Sequence, residues 1–289
     1  MKNIRLFKCI GNENDEIPNI LLNVLGFHYE EANNDTMKMA SLSKAIKEYN
    51  NVNYCTLPFC HTIEAESFGS YIVIDNKIGN HIVKYVINEK DEFDKITKMD
   101  LNNGRIQKVF EAISLLKNEG EKVCLNITGP ISLATSIMDS QLFYRSIRKE
   151  EDSIIKLMEI IEDSIIEFIL KGVSLGVDII SYADPTGTID IVGPKFYQDI
   201  SGKSTYKILK RIESKLGHTI VHICTKTSKS LEAIGLLESE QIKVQGSNYG
   251  TMIDKVIKNR KDIKFIGHWC MKRHNDVINN GNITKCVIL

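Results

Sequence analysis

The sequence predicts an α/β fold with a mostly parallel sheet, closed as a single TIM (β/α)8-type barrel. Apolar strand-like runs alternate with helical segments after Gly120, at a spacing of roughly 40 residues that is typical of β/α units. No strand is followed by a G-x-G-x-x-G turn, which leaves an open nucleotide-binding sheet without support. Without a linker or repeat, we expect residues 1–289 to form one barrel domain, with about 1–50 as an N-terminal helical extension.

Helical periodicity and start signals place the helices along the chain. We predict them at 33–50, 104–117, 131–147, 149–172, 194–216, 228–239 and 251–259. Apolar runs bounded by turn residues place the strands. We predict strands within 51–59, 70–75, 121–130, 177–187, 219–224, 241–248, 263–270 and 283–289. The segment 149–172 has the clearest helical pattern, because its apolar residues form one broad face suited to packing.

Composition and charge exclude several classes of function. Hydrophobic residues make up 43% of the chain, and 37 basic side chains balance 37 acidic ones. A net charge of zero provides no overall field for nucleic acid or anionic membranes, so we expect neither as a partner. No apolar run approaches the roughly 20 residues of a membrane span, and the first residues lack a signal-peptide core. The expected location is the cytoplasm.

The cysteines do not predict a disulfide framework. There are seven, an odd number, and they are scattered without regular spacing. Free cysteine is among the most buried residue types, so most of the seven are expected to be small core residues. In a reducing compartment the remainder are candidates for metal ligands.

Polar residues cluster where the predicted strands end. The chemistry of a parallel barrel lies at the carboxyl ends of its strands. The candidates there are Asn126, Thr128, Tyr182, Asp184, His222, Cys224, Gln245, Asn248, His268 and Cys270. His222 and Cys224 are two apart in a strand and therefore point to the same side.

Imidazole nitrogen and thiolate sulfur match Zn²⁺, and catalytic zinc sites use three protein ligands. Cys270 is the natural third ligand beside His222 and Cys224, and Cys286 is the alternative. The competing interpretation is that the His-x-Cys pair packs or forms a simple hydrogen bond. His268 is a candidate substrate contact, and His274 is expected on a surface helix.

Four ordered segments resemble one known family. They are "LPFCHTIEAESFGS", "NITGPISLATSIMD", "SYADPTGTIDIVGPKFYQDI" and "VHICTKTSKSLEAIG". Together they are similar to the zinc-dependent corrinoid methyltransferases, the methylcobamide:coenzyme M branch of the uroporphyrinogen decarboxylase superfamily. The resemblance runs from about Asn53 to Cys270. It implies a TIM barrel, zinc held by His222, Cys224 and a later cysteine, and methyl transfer involving cobalamin carried by a separate corrinoid protein.

The sequence departs from that family at three places. The family's usual third ligand lies in a Gly-Cys-Gly segment, which is absent here. "FIGHWC" stands where the family commonly has Gly-Asn-Val-x-Pro, and Thr225-Lys226 replaces the Gly-Asn that follows the family's cysteine. The small partner therefore stays open between a thiol resembling coenzyme M, tetrahydrofolate, and a methoxy or methylamine donor.

Two carboxylates are candidate catalytic residues, Glu64 and Asp184, positioned to hold substrate or move a proton. Asn126, Tyr182 and His268 are candidate cofactor contacts. The alternatives are a helix start for Glu64 and Glu66, and a turn cap for Asp184.

Two rival functions are a uroporphyrinogen decarboxylase-like lyase and a non-catalytic accessory protein of a corrinoid system. The lyase lacks support, because its arginine-rich N-terminal signature for binding carboxylates is absent. Methyl transfer from free methylcobalamin would exclude the accessory protein.

Overall fold

The computed structural model describes residues 17–278 and 280–289. Its strands in chain order are β1 (Cys55–Leu57), β2 (Tyr71–Val73), β3 (His81–Lys84), β4 (Val123–Thr128), β5 (Ile179–Ala183), β6 (Ile220–Cys224), β7 (Leu237–Lys243), β8 (Phe265–Trp269) and β9 (Asn282–Ile288). Its helices are α1 (Asn19–Leu25), α2 (Tyr29–Asn34), α3 (Thr36–Tyr49), α4 (Ile63–Ser67), α5 (Gly104–Asn118), α6 (Pro130–Ile137), α7 (Ser140–Arg148), α8 (Asp152–Ser174), α9 (Ile189–Val192), α10 (Pro194–Phe196), α11 (Gly202–Glu213), α12 (Thr225–Ala233) and α13 (Tyr249–Asn259).

One sheet contains seven of these strands, in the order β1-β4-β5-β6-β8-β9-β7, and β2 and β3 form a separate hairpin. Within this sheet the pairs β1-β4, β4-β5, β5-β6 and β6-β8 are parallel, whereas β9 is antiparallel to both β8 and β7. A parallel central sheet alternating with helices confirms the predicted α/β class. The reversed direction of β9 was not predicted, because a β/α repeat orients every strand alike.

Alternation along the strands gives this sheet two apolar faces. We call the first the outer face; its strand side chains join a core with α5, α8 and α11, and include Leu125, Ile127, Ile180, Tyr182, Val221, Ile223 and Phe265. The second, the inner face, packs against α13 through Cys124, Ile179, Ile220 and Ile266. The helix α13 therefore covers the face on which His222 lies.

The longest helix, α8, matches the prediction of a helix at 149–172. Its buried positions recur at helical spacing, among them Ile154, Leu157, Ile161 and Ile165. Burying one such side chain contributes about 1.5–3 kcal/mol, so this face anchors the helix to the outer core. Helices α1 to α3 precede β1, and residues 1–16 of the expected N-terminal extension lie outside the described residues.

Several predicted elements differ in their bounds, including the helix expected at 228–239, which is α12 (Thr225–Ala233) and ends before β7. The helix expected at 131–147 is two helices, because the Asp139 side chain caps α7 by accepting hydrogen bonds from the amides of Gln141 (2.8 Å) and Leu142 (3.3 Å). The strand expected at 241–248 begins earlier, at Leu237, because β7 pairs with β9 from Leu237 onward. None of the helices in residues 17–278 and 280–289 is long and apolar enough to cross a membrane.

Candidate functional site

His222 is the central residue of the candidate site. The register of the parallel strands aligns Asn126, Ser181 and His222 in one row across β4, β5 and β6. The His222 side chain is 1% exposed, and its Nε2 atom has no hydrogen-bond partner among the described residues. An unpaired buried nitrogen costs free energy, so a group that would pair with Nε2 is expected at this point.

The surroundings of His222 keep its ring neutral. Burial lowers the pKa of His222 to about 3, and the nearby His274 adds to this effect. The ring of Tyr249, the first residue of α13, lies edge-on to the imidazole with a centroid separation of 5.8 Å. A neutral imidazole is the form that binds metal ions.

Cys224 ends β6 and immediately precedes α12. Because Cys224 is two positions after His222 in the strand, its side chain shares the inner face, and it is half-buried whereas His222 is fully buried. The sequence predicted that the two side chains share one side of the strand. Cys224 lies at the carboxyl end of β6, and His222 lies two positions before it.

Cys270 directly follows β8 and is half-buried. Burial raises the pKa of Tyr249, and the nearby Cys286 and Cys270 add to this effect. Within residues 17–278 and 280–289, however, no three His, Cys, Asp or Glu side chains lie close enough to hold a metal ion together. His222 and Cys224 are thus directed to one face by strand alternation, and the described residues do not bring them together with Cys270 as a three-residue metal site.

Cys286, the alternative third ligand, lies on the opposite face. It pairs with Phe265 of β8, and both side chains belong to the outer core. A Cβ atom on Gly267 would lie 2.8 Å from the Cys286 Sγ and 2.9 Å from the Ser228 Cβ. The Cys286 side chain and helix α12 therefore pack closely against β8 at Gly267. The sheet separates Cys286 from His222, and the alternative is corrected.

His268 turns away from the inner face. Its backbone has φ of 59°, and its amide donates to the Ser228 hydroxyl at 3.0 Å. The imidazole Nε2 lies 3.4 Å from a carboxylate oxygen of Glu232 on α12. Burial lowers the pKa of His268, while Glu232 opposes that effect. The predicted contact of His268 with a cofactor on the inner face is therefore not supported.

Tyr182 is also displaced from its predicted role. It pairs in register with Ile127 and Ile223, which belong to the outer core, and its hydroxyl donates to Thr205 on α11 at 3.5 Å. Strand alternation directs residues 181 and 183 inward and Tyr182 outward. By contrast, Asn126 does lie on the inner face, where its amide donates to the carbonyl of Pro58 at 3.0 Å.

Glu64 lies on α4, at the carboxyl end of β4. One carboxylate oxygen accepts a hydrogen bond from the Thr128 amide at 2.8 Å, and the other has no partner among the described residues. Burial raises the pKa of Glu64, although the Thr128 amide opposes the shift. Arg105 lies nearby, ion-paired with Glu66 and only 5% exposed, a contact that the sequence did not indicate.

Asp184 has the contacts of a structural cap. Its carboxylate accepts hydrogen bonds from the Ser132 amide (2.8 Å), the Ser132 hydroxyl (2.6 Å) and the Ile131 amide (3.2 Å) at the start of α6. Burial raises its pKa against the effect of these donors. These contacts fit the alternative interpretation of a capping aspartate, and the catalytic role stays a prediction.

We call His222 and the rings around it, Tyr249, Trp269 and His274, the His222 cluster. The last three residues were not predicted as part of the site. Tyr249 and Trp269 have ring centroids 5.9 Å apart. His274, expected on a surface helix, is 5% exposed, because its carbonyl accepts from Gly250 at 2.8 Å and its ring packs on Tyr54 at 5.6 Å. Only the position of Trp269 at a strand end hinted at this arrangement.

A large cleft in the described structure is lined by residues outside this cluster. Its volume is about 1040 Å³, and side chains of α7, α8 and α11, such as Tyr144, Met158 and Lys207, line it. These helices cover the outer face, so the cleft does not open onto His222.

The fold and the His-x-Cys pair at a strand's carboxyl end define an α/β protein with a parallel sheet and a candidate metal-binding edge. Residues 21–283 match the uroporphyrinogen decarboxylase (URO-D) family, and the chain belongs to it. The resemblance noted from the four segments is thereby confirmed.

Curated relatives of this chain carry methyltransferase names. It is 28% identical over 210 residues to methylcobamide:CoM methyltransferase MtbA of Methanosarcina acetivorans, covering 71% of this chain and 62% of that protein. It is 25% identical over 246 residues to methylcobamide:CoM methyltransferase MtaA of Methanosarcina barkeri, covering 83% of this chain and 71% of that protein. The chain thus spans 62% of the length of the first relative.

A solved methyltransferase from Methanosarcina mazei shares the fold. The TM-score is 0.63 at 21% identity, covering 71% of this chain and 60% of the other. The likeness agrees with the predicted TIM-barrel type of α/β fold.

Proposed function

We propose that this protein moves a methyl group between a corrinoid carried by a partner protein and a small thiol bound beside His222 and Cys224. The observation that carries the proposal is the unpartnered, fully buried Nε2 atom of His222, on the same face as a cysteine at the end of the strand. The names of the curated relatives support the reaction class.

The residues present fit the beginning of a zinc site. His222 is neutral and offers a free lone pair, and Cys224 offers sulfur two residues away. Zinc, when bound, would keep a thiol deprotonated at neutral pH, which makes sulfur a better nucleophile. In this proposal Cys270 completes the protein ligands by a movement of the segment that follows β8.

The remaining groups of the site bind the substrate and orient it. The row of Asn126 and His222 forms the floor of the site, and α13 excludes water from it. Glu64, whose pKa is raised by burial, retains a proton more readily than an exposed carboxyl and holds the end of β4 through Thr128. The corrinoid, when brought by its carrier protein, would supply the methyl group, and the residues around His222 and Cys224 would hold the thiol that takes it.

The partner and the acceptor follow from the same considerations. The sequence has no Asp-x-His-x-x-Gly segment, so the corrinoid would arrive on a separate protein that docks at the carboxyl ends of the strands. A thiol resembling coenzyme M is the first acceptor to test, because the relatives are named for it. Tetrahydrofolate is the second acceptor to test, and methoxy or methylamine compounds, being methyl donors, are tested separately with Co(I) cobalamin.

The test combines metal content with methyl transfer. We expect about one zinc ion per chain in the wild type, and its loss in Cys224→Ser and Cys270→Ser. Cys286→Ser is the matched control, because that sulfur lies across the sheet. The absorbance of methylcobalamin is followed as each acceptor is added. A metal-free wild type that leaves methylcobalamin unchanged with every acceptor would refute the proposal.

A further inference from the structure

A chain of aromatic contacts on the inner face ends in hydrogen-bond donors without acceptors. The rings of His222 and Tyr249 lie 5.8 Å apart, and those of Tyr249 and Trp269 lie 5.9 Å apart. The Tyr249 hydroxyl and the Trp269 Nε1 atom are both buried and have no hydrogen-bond partner among the described residues. Buried polar groups in folded proteins almost always have partners, so two adjacent exceptions point to a missing group.

The chemistry of the two donors restricts what that group is. An indole nitrogen only donates, and a phenol near neutral pH donates its proton to any strong acceptor. Beside them, His222 presents a lone pair suited to a cation. The three groups are therefore complementary to a cation together with the anionic atom that it binds.

We propose that Tyr249 and Trp269 bind the thiolate sulfur of the methyl acceptor and fix its position next to His222. This inference rests on the proposed function and names two further substrate-binding residues for it. Sulfur suits the place, because it is large and polarizable and packs well against aromatic edges. An oxyanion such as phosphate suits it less, because Arg273, which stacks on Trp269 at 4.9 Å, is already ion-paired with Asp276.

The position of Trp269 follows from an irregularity in β8. His222 pairs with Ile266, and Cys224 pairs with Trp269. The chain therefore takes three steps in β8 where it takes two in β6, so β8 contains one extra residue at this point. At this irregularity His268 turns toward α12, and Trp269 lies on the inner face. The indole is thus level with Cys224, at the edge where a thiol would enter.

The test removes single donors and measures binding. Tyr249→Phe and Trp269→Phe retain an aromatic ring, and Tyr197→Phe is the matched control, because it removes another unpartnered buried hydroxyl in the outer core. The probe is 2-mercaptoethanesulfonate, titrated into zinc-loaded protein by calorimetry. We expect the dissociation constant to rise roughly tenfold in each inner-face variant and to stay unchanged in Tyr197→Phe.

A spectroscopic readout separates positioning from general damage. In Co²⁺-substituted protein the thiolate-to-cobalt band should move to lower energy in Tyr249→Phe, because a hydrogen bond that stabilises the sulfur lone pairs is gone. A wild type that binds metal and thiol while Tyr249→Phe matches it in affinity and band position would overturn this inference alone. A wild type that binds neither would overturn the proposed function and the inference together.

Discussion

Asp184 ties the end of β5 to the start of α6 by accepting hydrogen bonds from both the backbone amide and the hydroxyl of Ser132, at 2.8 and 2.6 Å. Two glycines make room for this contact, since a Cβ on Gly129 or Gly187 would lie 2.4 Å from an atom of Asp184. The carboxylate is therefore a fixed part of the framework around the site.

Replacing Asp184 with alanine should destabilise the fold. Removing the carboxylate leaves the buried donors of Ser132 and Ile131 unpaired, and we expect a loss of about 3 kcal/mol in the free energy of unfolding, measured with urea. Asp139→Ala is the control, because Asp139 caps the exposed start of α7, and should cost about 1 kcal/mol. A stable Asp184→Ala protein without methyl transfer would instead favour the catalytic role.

His274 should make the protein sensitive to acid. Burial lowers its pKa from 6.5 to about 4, so below pH 6.5 the unfolded chain takes up a proton that the folded protein rejects. Stability from this residue is full above pH 6.5 and declines by about 3 kcal/mol as the pH falls to about 4. The free energy of unfolding measured from pH 7 to 4 should fall less steeply in His274→Phe. His218→Phe, at an exposed position, should retain the wild-type slope.

Glu64 should have the opposite pH dependence. Its pKa is raised above 4.5 by burial, so above pH 4.5 the unfolded chain loses its proton before the folded protein does. Wild-type stability therefore declines as the pH rises past 4.5, until the buried carboxyl ionises. Glu64→Gln keeps an oxygen for the Thr128 amide and cannot ionise, so its stability relative to wild type should improve with rising pH. The exposed Glu48→Gln should show no such trend in parallel denaturation series.

A methyl group at Gly267 should disturb the contact between β8 and α12. The added Cβ would approach the sulfur of Cys286 at 2.8 Å and Ser228 at 2.9 Å, and overpacking of this kind costs about 1–3 kcal/mol. Gly250→Ala is the matched control, because its Cβ would meet nothing closer than 3.5 Å. Thermal denaturation of both variants checks this, and equal melting temperatures would contradict the packing described for Cys286.

The sequence sufficed for the features that depend on local periodicity. The α/β class, the helix α8 and the shared face of His222 and Cys224 follow from spacings of 3.6 and 2 residues. The same alternation, applied along β5, would have excluded Tyr182 from the inner face.

The errors depend on contacts between distant segments. His274 is buried because α13 and Tyr54 close over it, and neither lies near it in the sequence. The antiparallel pairing of β9 with β8 determines the face on which Cys286 lies. No local pattern in the sequence reveals that pairing, so Cys286 could not be assigned to a face in advance. The true surroundings of Asp184 were likewise hidden, since its partners come from a helix some fifty residues earlier.

The extra residue of β8 has a consequence for what a deletion in this strand would change. Three steps along the chain from Ile266 to Trp269 match two steps from His222 to Cys224, so this stretch of β8 holds one residue more than regular alternation requires. Removing Gly267 or His268 would place Trp269 two positions after Ile266, where regular alternation keeps the indole on the inner face. The extra residue is therefore not needed to turn the indole inward; what it adds is the imidazole of His268, which lies against Glu232 of α12.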